Sequence, residues 1–366
     1  MFLREKHKMP LRIRSGEVFS SWLIRLAMHY GVTTLTLGAY FWPKRRIWTM
    51  DVDSMGITLD LAKISDMTGN SEASICRSFP AHCYDGVGTL DDVKQHLTHW
   101  FLRLGTRNVK RHSGIPYCPR CFCSHEYIYI KQLWRMAWHT HCEDHYCLLR
   151  QGCPKCGALY APHRLPLGTL NIGYCHQCAS PLGESTYDEK NESAYTLQAL
   201  CISTIASNEG PFNLLTVTAH AWLEQLYFIT NLTKYAISRD NGFFKLMLPF
   251  MNYTDVTKAL DDGLPFTQSN NSYRAHIMQH VYDVWQTHGP EMVTACIDNG
   301  VSMNTINPDN VVLPEAISTA FKDLQMKEYA LPWNAKKLNG VVERPSTDAS
   351  VRKKWRRLQR KYLGRQ

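Results

Sequence analysis

Pairs of cysteine and histidine dominate the chemistry that this sequence could perform. Within residues 118–178 they occur at the spacing with which one tight turn presents two ligands to a tetrahedral metal ion. Two turns complete one ion, so four pairs predict two zinc sites, one with three cysteines and a histidine, the other with four cysteines. The predicted ligands are Cys118, Cys121, Cys142 and His145 for the first site, and Cys153, Cys156, Cys175 and Cys178 for the second.

Two other interpretations of these pairs are open. An isolated C-x2-C pair is often a thiol–disulfide couple, although three such pairs beside a C-x2-H pair favour a metal. The pairs could also interleave, as in cross-brace modules, so that Cys118 and Cys121 share an ion with Cys153 and Cys156. Sequential pairing is preferred because each site then closes a loop of about twenty residues at a low entropic cost.

Other cysteines and histidines lie near the predicted ligands. His145 is preferred to His141 because it keeps the two-residue spacing from Cys142. Cys123 and Cys147 are close enough in sequence to compete with the ligands. The rival histidines are His139, His141 and His176. We expect core or partly buried thiols at Cys76, Cys83, Cys123, Cys147, Cys201 and Cys296.

The sequence predicts no catalytic site. Four protein ligands saturate a tetrahedral ion, so neither site needs the open position of a catalytic zinc. His141-Cys142-Glu143 matches the first half of the deaminase signature H-x-E…P-C-x-x-C, but Gly152 stands where proline is expected. The sequence contains no H-E-x-x-H, G-x-S-x-G or P-loop pattern.

Positive charge is concentrated at the C-terminal end. The net charge is +9, and residues 351–366 contain eight Lys or Arg and no acid, which leaves 33 basic and 32 acidic residues elsewhere. Trp355, Leu358, Tyr362 and Leu363 recur on one face of a helix. A nucleic-acid-binding helix is favoured over a solvated terminal helix that docks on the protein and over a membrane-surface helix. Its predicted contact residues are Arg352, Lys353, Lys354, Arg356, Arg357, Arg360 and Lys361.

The elements that position these groups are predicted to be mainly α-helical, with small zinc-ribbon or knuckle modules. Apolar residues from Val18 to Tyr30 recur at helical spacing. In residues 60–78 a helix, a turn at Gly69 and a second helix resemble a helix-turn-helix, with Ser74 and Arg77 as groove contacts. Further helices are predicted near 214–236, 272–288 and 314–327. The predicted boundaries are 1–111 for an N-terminal helical, helix-turn-helix-like domain, 112–183 for the tandem zinc region, 184–210 for a linker, 211–330 for a C-terminal helical domain, and 331–366 for a tether and basic tail.

Sequence signals for export and for membranes are missing. No apolar run reaches the roughly 20 residues of a transmembrane helix, and no apolar signal segment follows Met1. Thirteen cysteines without an export signal fit metal sites and buried thiols better than disulfides. We therefore expect a soluble, cytoplasmic protein that has no membrane partner and is nucleoid-associated when bound.

Three motifs of the first half of the chain occur together. Two of them are YCPRC at 117–121, followed by a C-x2-H pair before Leu148, and GCPKCG at 152–157, followed by YCHQCASPL at 174–182. The third is the opening PLRIRSGEVFSSWLIRLAMHYGV at 10–32, with a Gly-Glu, a Ser-Trp and an Arg-x-Ala at Gly16, Glu17, Ser21, Trp22, Arg25 and Ala27. In this combination the chain resembles the TniQ family of bacterial transposons, also called TnsD-like target selectors.

The resemblance implies a non-enzymatic adaptor for DNA transposition. The modest length is similar to that of the compact variants in CRISPR-associated transposons. Such variants form homodimers, dock on the RNA-guided complex Cascade with its guide RNA, and recruit an AAA+ ATPase and the transposase to target DNA. A TnsD-like protein that binds its target site directly, a sequence-specific zinc-containing DNA-binding regulator and a zinc enzyme are the alternatives.

Overall fold

The computed structural model divides the chain into two compact units, Met1–Gln325 and Met326–Gln366. Mainly helical structure fills the first unit. The residues that the structure describes are 11–54, 59–104, 114–123, 128–183, 191–212, 215–239, 241–252, 261, 263–308, 310–326, 347–349, 351–352 and 354–355.

The first helix is the centre of an N-terminal core. α1 (Phe19–His29) buries Trp22, Leu23 and Leu26 completely. Gly31, at φ +62°, ends the helix in the left-handed region that glycine adopts without steric cost. α2 (Thr34–Phe41) follows, and the Thr33 side chain caps it by accepting a hydrogen bond from the Thr36 amide. The amphipathic helix predicted from Val18 to Tyr30 is therefore present.

Two short helices occupy the segment predicted as a helix-turn-helix. α3 (Ala62–Thr68) ends at Gly69, whose φ is +68°, and Ser71 caps α4 (Glu72–Cys76). The turn is as expected, but α4 has only five residues. A recognition helix presents several side chains along the major groove, and α4 offers little more than one turn. Arg77 lies at its C-terminal cap, where its carbonyl accepts a hydrogen bond from the Gln132 side chain.

A buried ionic network joins this region to the segment that leads into the cysteine pairs. Arg135 is fully buried and contacts the carboxylates of Asp51 and Asp53, and it also donates to the Leu102 carbonyl over 2.9 Å. Asp53 accepts hydrogen bonds from the Ser20 amide and hydroxyl at 2.7 Å each. Burial raises the pKa of Asp53 to about 6, although Arg135 opposes the shift. The network fixes Arg135, and with it the backbone that precedes Cys142.

Helices continue on both sides of the cysteine pairs. α5 (Leu90–Trp100) begins with a capping box between Thr89 and Asp92. The elements that follow are α6 (Pro119–Cys123), α7 (Glu192–Ser207), the antiparallel hairpin β1 (Glu209–Phe212) and β2 (Leu215–Thr218), α8 (Ala219–Arg239), α9 (Gly242–Met247), α10 (Asn271–Val281), α11 (Gly289–Asp298), α12 (Met303–Ile306) and α13 (Glu315–Ala320).

The structure differs from the sequence prediction in two elements between residues 191 and 218. α7 lies inside the segment predicted as a linker and packs Leu197 and Cys201 into the core. The hairpin of β1 and β2 was not predicted. By contrast, α8, α10 and α13 lie close to the three predicted C-terminal helices. A π-helical turn, Tyr282–Thr287, continues α10, and Gly289 and Pro290 are the first two residues of α11.

In the second unit, residues 348–349, 351–352 and 354–355 are helical. Within it Asp348 and Arg352 form an exposed ion pair at 3.0 Å, and Trp355 is exposed. Among all helices that the structure describes, none is both long and apolar enough to cross a membrane.

Candidate metal centres

Three of the four ligand pairs share one backbone design. In each, the amide of the first cysteine donates to the carbonyl five residues later, and the amide four residues later donates back to the first cysteine's carbonyl. The residue after the second ligand has a positive φ in every case. These residues are Tyr146 at 54°, Gly157 at 70° and Ala179 at 56°. Such a closed turn points both ligand side chains to one side.

The remaining pair, Cys118 and Cys121, lies at the start of a helix instead. α6 begins at Pro119, directly after Cys118. The Cys121 amide donates to the Cys118 sulfur over 3.3 Å, and the Phe122 amide donates to the Cys118 carbonyl. The helical turn brings the two sulfurs to the same side as the closed turns do.

The first cluster brings together Cys118, Cys121, Cys142 and His145, whose ligand atoms all lie within 4.8 Å of one another. The Nδ1 atom of His145 is 3.6, 3.2 and 3.7 Å from the sulfurs of Cys118, Cys121 and Cys142. A zinc ion bonded at about 2.3 Å to sulfur and about 2.0 Å to nitrogen in a tetrahedron would separate these atoms by about 3.5 Å. The donor set and its spacing therefore fit such an ion.

The second cluster contains Cys153, Cys156, Cys175 and Cys178. The sulfurs of Cys153 and Cys178 are 3.6 Å apart, and those of Cys156 and Cys175 are 3.7 Å apart. Tetrahedral coordination by four thiolates requires about 3.8 Å between sulfurs. Both clusters could hold a metal ion, and they follow the sequential pairing of the sequence rather than the interleaved one.

Electrostatics in both clusters favours a bound cation. Hydrogen bonds from the Cys121 and Cys142 thiols lower the pKa of Cys118, and the contact with Cys118 raises the pKa of Cys121. Hydrogen bonds from Ser180 lower the pKa of Cys178 to about 6. Several thiolates within one cluster repel each other, so only a cation allows all of them to ionise together.

Polar side chains from the C-terminal helices hold the first cluster in place. Gln198 of α7 accepts hydrogen bonds from the Thr140 and His141 amides at 2.8 and 2.9 Å. Asn271 of α10 donates to the carbonyls of Thr140 and Leu149 at 2.8 Å each. These two buried amides clamp the turn that carries Cys142 and His145. The sequence analysis missed them, although Gln198 lies on the otherwise apolar side of α7 among Ala194, Leu197 and Cys201.

The second cluster is supported mainly by aromatic residues. The Tyr117 hydroxyl donates to the Gly152 carbonyl at 2.8 Å, and the Tyr160 hydroxyl donates to the Ile172 carbonyl at 2.6 Å. Trp48 stacks on His163 with ring centroids 5.4 Å apart and an interplanar angle of 3°. These contacts fix the loop between Cys156 and Cys175.

The other histidines and cysteines near the clusters are not among the grouped ligand atoms. His141 uses both ring nitrogens, one with the Thr140 hydroxyl at 2.8 Å and one with the Asn191 amide at 3.2 Å. His139 lies 3.1 Å from Glu143. Cys147 is buried, and its sulfur is 3.5 Å from that of Cys118. Cys123 is exposed, and neither Cys123 nor His176 belongs to a cluster that the described residues form.

The predicted nucleic-acid contacts are described only in part. Arg352 and Lys354 lie exposed on the helical turn of the second unit. Lys353, Arg356, Arg357, Arg360 and Lys361 lie outside the described residues.

Residues 9–149 match the model of the TniQ family, from the segment before α1 to the residues just after the first cluster. This part of the chain is a TniQ domain. The match covers the first metal cluster completely and ends before the second. A search of curated proteins finds no match. The TniQ domain supports a role in target selection during transposition.

Proposed function

We propose that this protein is a non-enzymatic adaptor for DNA transposition. We also propose that two structural zinc ions stabilise the segments that contain the cysteine and histidine ligands. The TniQ match over residues 9–149 carries the proposal. The adaptor would link an RNA-guided DNA-binding complex of the Cascade type to the AAA+ ATPase and transposase. A homodimer would do this on target DNA.

Zinc is the metal that the donor sets favour. Three thiolates with an imidazole, and four thiolates, are the ligand sets of structural zinc sites. With four protein ligands at each ion, no position is left for a reacting water. Metal analysis of the purified chain should give two zinc ions per chain. A value of one or less contradicts the zinc proposal.

The proposal includes that the protein has no catalytic activity of its own. Each cluster supplies four protein ligands, so a bound metal ion has no open coordination position. An adaptor requires rigid surfaces rather than a reactive pocket. We expect no nuclease, deaminase or ATPase activity from the pure chain. An activity that disappears after a single substitution in this chain would overturn this part of the proposal.

Binding to purified partners tests the adaptor role directly. The chain is expected to co-elute with the guide-RNA complex and with the ATPase in size-exclusion chromatography. Alone, it should scatter light as a particle of twice the 42.1 kDa of one chain. Strong sequence-specific binding to naked duplex DNA, without any guide complex, would instead support a direct target-site binder.

The basic tail is proposed to contact nucleic acid through phosphates. Phosphate contacts add affinity without sequence information, and each one contributes about 0.7 to 0.9 to the salt slope. Replacing Arg356, Arg357, Arg360 and Lys361 with glutamine should weaken binding to the RNA-guided complex and flatten its salt dependence. Unchanged binding across salt concentrations would show that the tail is only a solvated end.

A further inference from the structure

Two segments of the chain contain no acidic residue. They are residues 18–50 and 145–183, and all 32 acidic residues lie outside them. Among the cations that these segments expose, Lys44, Arg46, Lys155 and Arg164 form no ion pair with any residue that the structure describes. Cations without ion-pair partners on two separate segments can contribute to one positively charged surface if the fold brings the segments together.

The fold does join these two segments. The Thr34 hydroxyl donates to the His163 carbonyl over 2.7 Å, and the Trp48 indole donates to the Thr34 carbonyl over 2.9 Å. The Trp48 ring also stacks on His163. The loop of the second metal cluster is therefore fixed directly against α2 and the turn that follows it.

Exposed leucines flank this junction. Leu35 follows Thr34 and is 68% exposed, while Leu167 and Leu170, in the loop after His163, are 63% and 85% exposed. A single exposed leucine is common on a protein surface, whereas several beside one junction can form an apolar patch of the kind that marks an interaction site. An apolar centre with a charged rim is the usual composition of a protein interface.

We propose that Leu35, Leu167 and Leu170, with the cations Lys44, Arg46 and Arg164, form a docking surface for an acidic segment of a partner protein. The cations attract the acidic side chains of the partner, and neither segment contains an acidic residue that would repel those side chains. Nucleic acid is a poorer fit for the leucines, because sequence-tolerant binding of bases uses aromatic rings for stacking, and Leu35, Leu167 and Leu170 are aliphatic. A second copy is also disfavoured, because a two-fold interface would place this cationic surface against itself.

This inference rests on the proposed function only for the identity of the partners to be tested. The full-length chain would be immobilised and titrated with the purified protein subunits of the RNA-guided complex and with the ATPase, without nucleic acid. Leu167→Ser combined with Leu170→Ser should weaken binding to one of them at least tenfold. Arg164→Glu should weaken the same interaction and reduce its salt dependence. Leu90→Ser is the matched control, because Leu90 is an equally exposed leucine at the start of α5.

The outcomes separate the two proposals. If the wild type binds a partner and the leucine variant binds it equally well, the docking surface is wrong while the adaptor function stands. If the wild type binds no partner, both are wrong. Loss of binding to naked duplex DNA or to anionic vesicles in the leucine variant, with protein binding unchanged, would assign this surface to nucleic acid or to lipid and overturn the inference.

A second, independent inference concerns Cys147. This residue is the fifth after Cys142, and Ser180 is likewise the fifth after Cys175, in a turn of the same design. Ser180 forms hydrogen bonds to the Cys178 ligand through its side chain and its backbone. The Cys147 sulfur lies 3.5 Å from the sulfur of Cys118 and is fully buried. Each cluster therefore has one protic side chain beside a ligand sulfur, at the same place in its turn.

We infer that Cys147 is not a metal ligand but donates its S–H hydrogen bond to the Cys118 thiolate when zinc is bound. His145 fits the fourth ligand position better, because its Nδ1 approaches all three cluster sulfurs. A donor beside a ligand sulfur reduces the charge on that sulfur and fixes its direction, and partners of this kind commonly change metal affinity 10- to 100-fold.

Two substitutions at Cys147 separate a donor from a ligand. Cys147→Ser keeps a donor and should leave zinc release to a chelator close to the wild-type rate, whereas Cys147→Ala should accelerate release from the first site about tenfold. In the cobalt-substituted protein, Cys147→Ala should shift the sulfur-to-cobalt absorption to longer wavelength without reducing its intensity. Equal behaviour of the serine and alanine variants, or an intensity loss of one thiolate, would overturn the inference.

Discussion

Both metal clusters have the ligand set of a structural zinc site, but their surroundings differ. In the first, Cys118 and Cys142 are fully buried, and Gln198 and Asn271 from distant helices bind the neighbouring backbone. In the second, Cys153 and Cys175 are buried as well, but Cys156 is exposed, and much of the loop between its turns faces solvent. A metal ion in the first cluster would stabilise a part of the molecule that is packed on several sides, whereas one in the second would stabilise a part that is packed on one side and exposed on the other.

This difference indicates a division of roles. The first cluster lies where the N-terminal helices, α7 and α10 meet, so its loss affects packing on every side. The second cluster shapes the loop that carries Arg164, Leu167 and Leu170, and its loss affects mainly that loop. The next predictions test this contrast, beginning with the largest expected effect.

Removing a ligand of the first cluster should have the greatest effect. Cys142→Ser leaves a buried site without a complete ligand set, and metal binding supplies folding free energy at such sites. We expect the free energy of unfolding to fall by at least about 3 kcal/mol. Chemical denaturation followed by circular dichroism measures this. Cys123→Ser, an exposed thiol outside both clusters, is the control and should unfold like the wild type.

Removing a ligand of the second cluster should have a smaller, local effect. Cys156→Ser should reduce the zinc content to one ion per chain and expose residues 153–178 to limited proteolysis. The main thermal transition should shift by less than about 4 °C, because the helical core keeps its packing. A loss of stability equal to that of Cys142→Ser would contradict the proposed contrast.

Release of metal from the wild type should follow the same order. An exposed ligand is open to chelators, whereas buried ligands become accessible only after local unfolding. With excess chelator, one zinc ion should leave at least about tenfold faster than the other. Native mass spectrometry of the Cys156→Ser chain should show that only the slow ion remains. If the fast ion remains instead, the assignment of the sites is reversed.

Much of this architecture could be predicted because its signals are local. The spacing of Cys153 and Cys156 reflects one closed turn, and the apolar recurrence from Val18 to Tyr30 reflects one helix. Each pattern lies within a few residues and needs no knowledge of the rest of the fold. The sequential grouping of the ligands likewise followed from the short loops between them.

Interactions between distant residues could not be predicted in this way. Arg135 lies 84 and 82 residues from Asp51 and Asp53, and no spacing rule connects them. Gln198 and Asn271 resemble ordinary polar residues of amphipathic helices until their burial is known. In α4 the sequence pattern predicted more than the structure contains. A helix followed by a glycine turn fits the helix-turn-helix pattern, but the second helix ends after five residues.

The smallest predicted effect concerns the junction between the second cluster and α2. His163→Ala removes the ring that stacks on Trp48 and leaves the backbone carbonyl that binds Thr34. A stacked aromatic pair of this kind contributes about 0.5–1.5 kcal/mol, so overall stability should fall by about 1 kcal/mol or less. Hydrogen exchange should accelerate in residues 162–172 and near Trp48, but not around Cys142. The exposed Gln177→Ala is the control, and faster exchange at Thr140 and Leu149 in the His163 variant would show that the two clusters are coupled rather than separate.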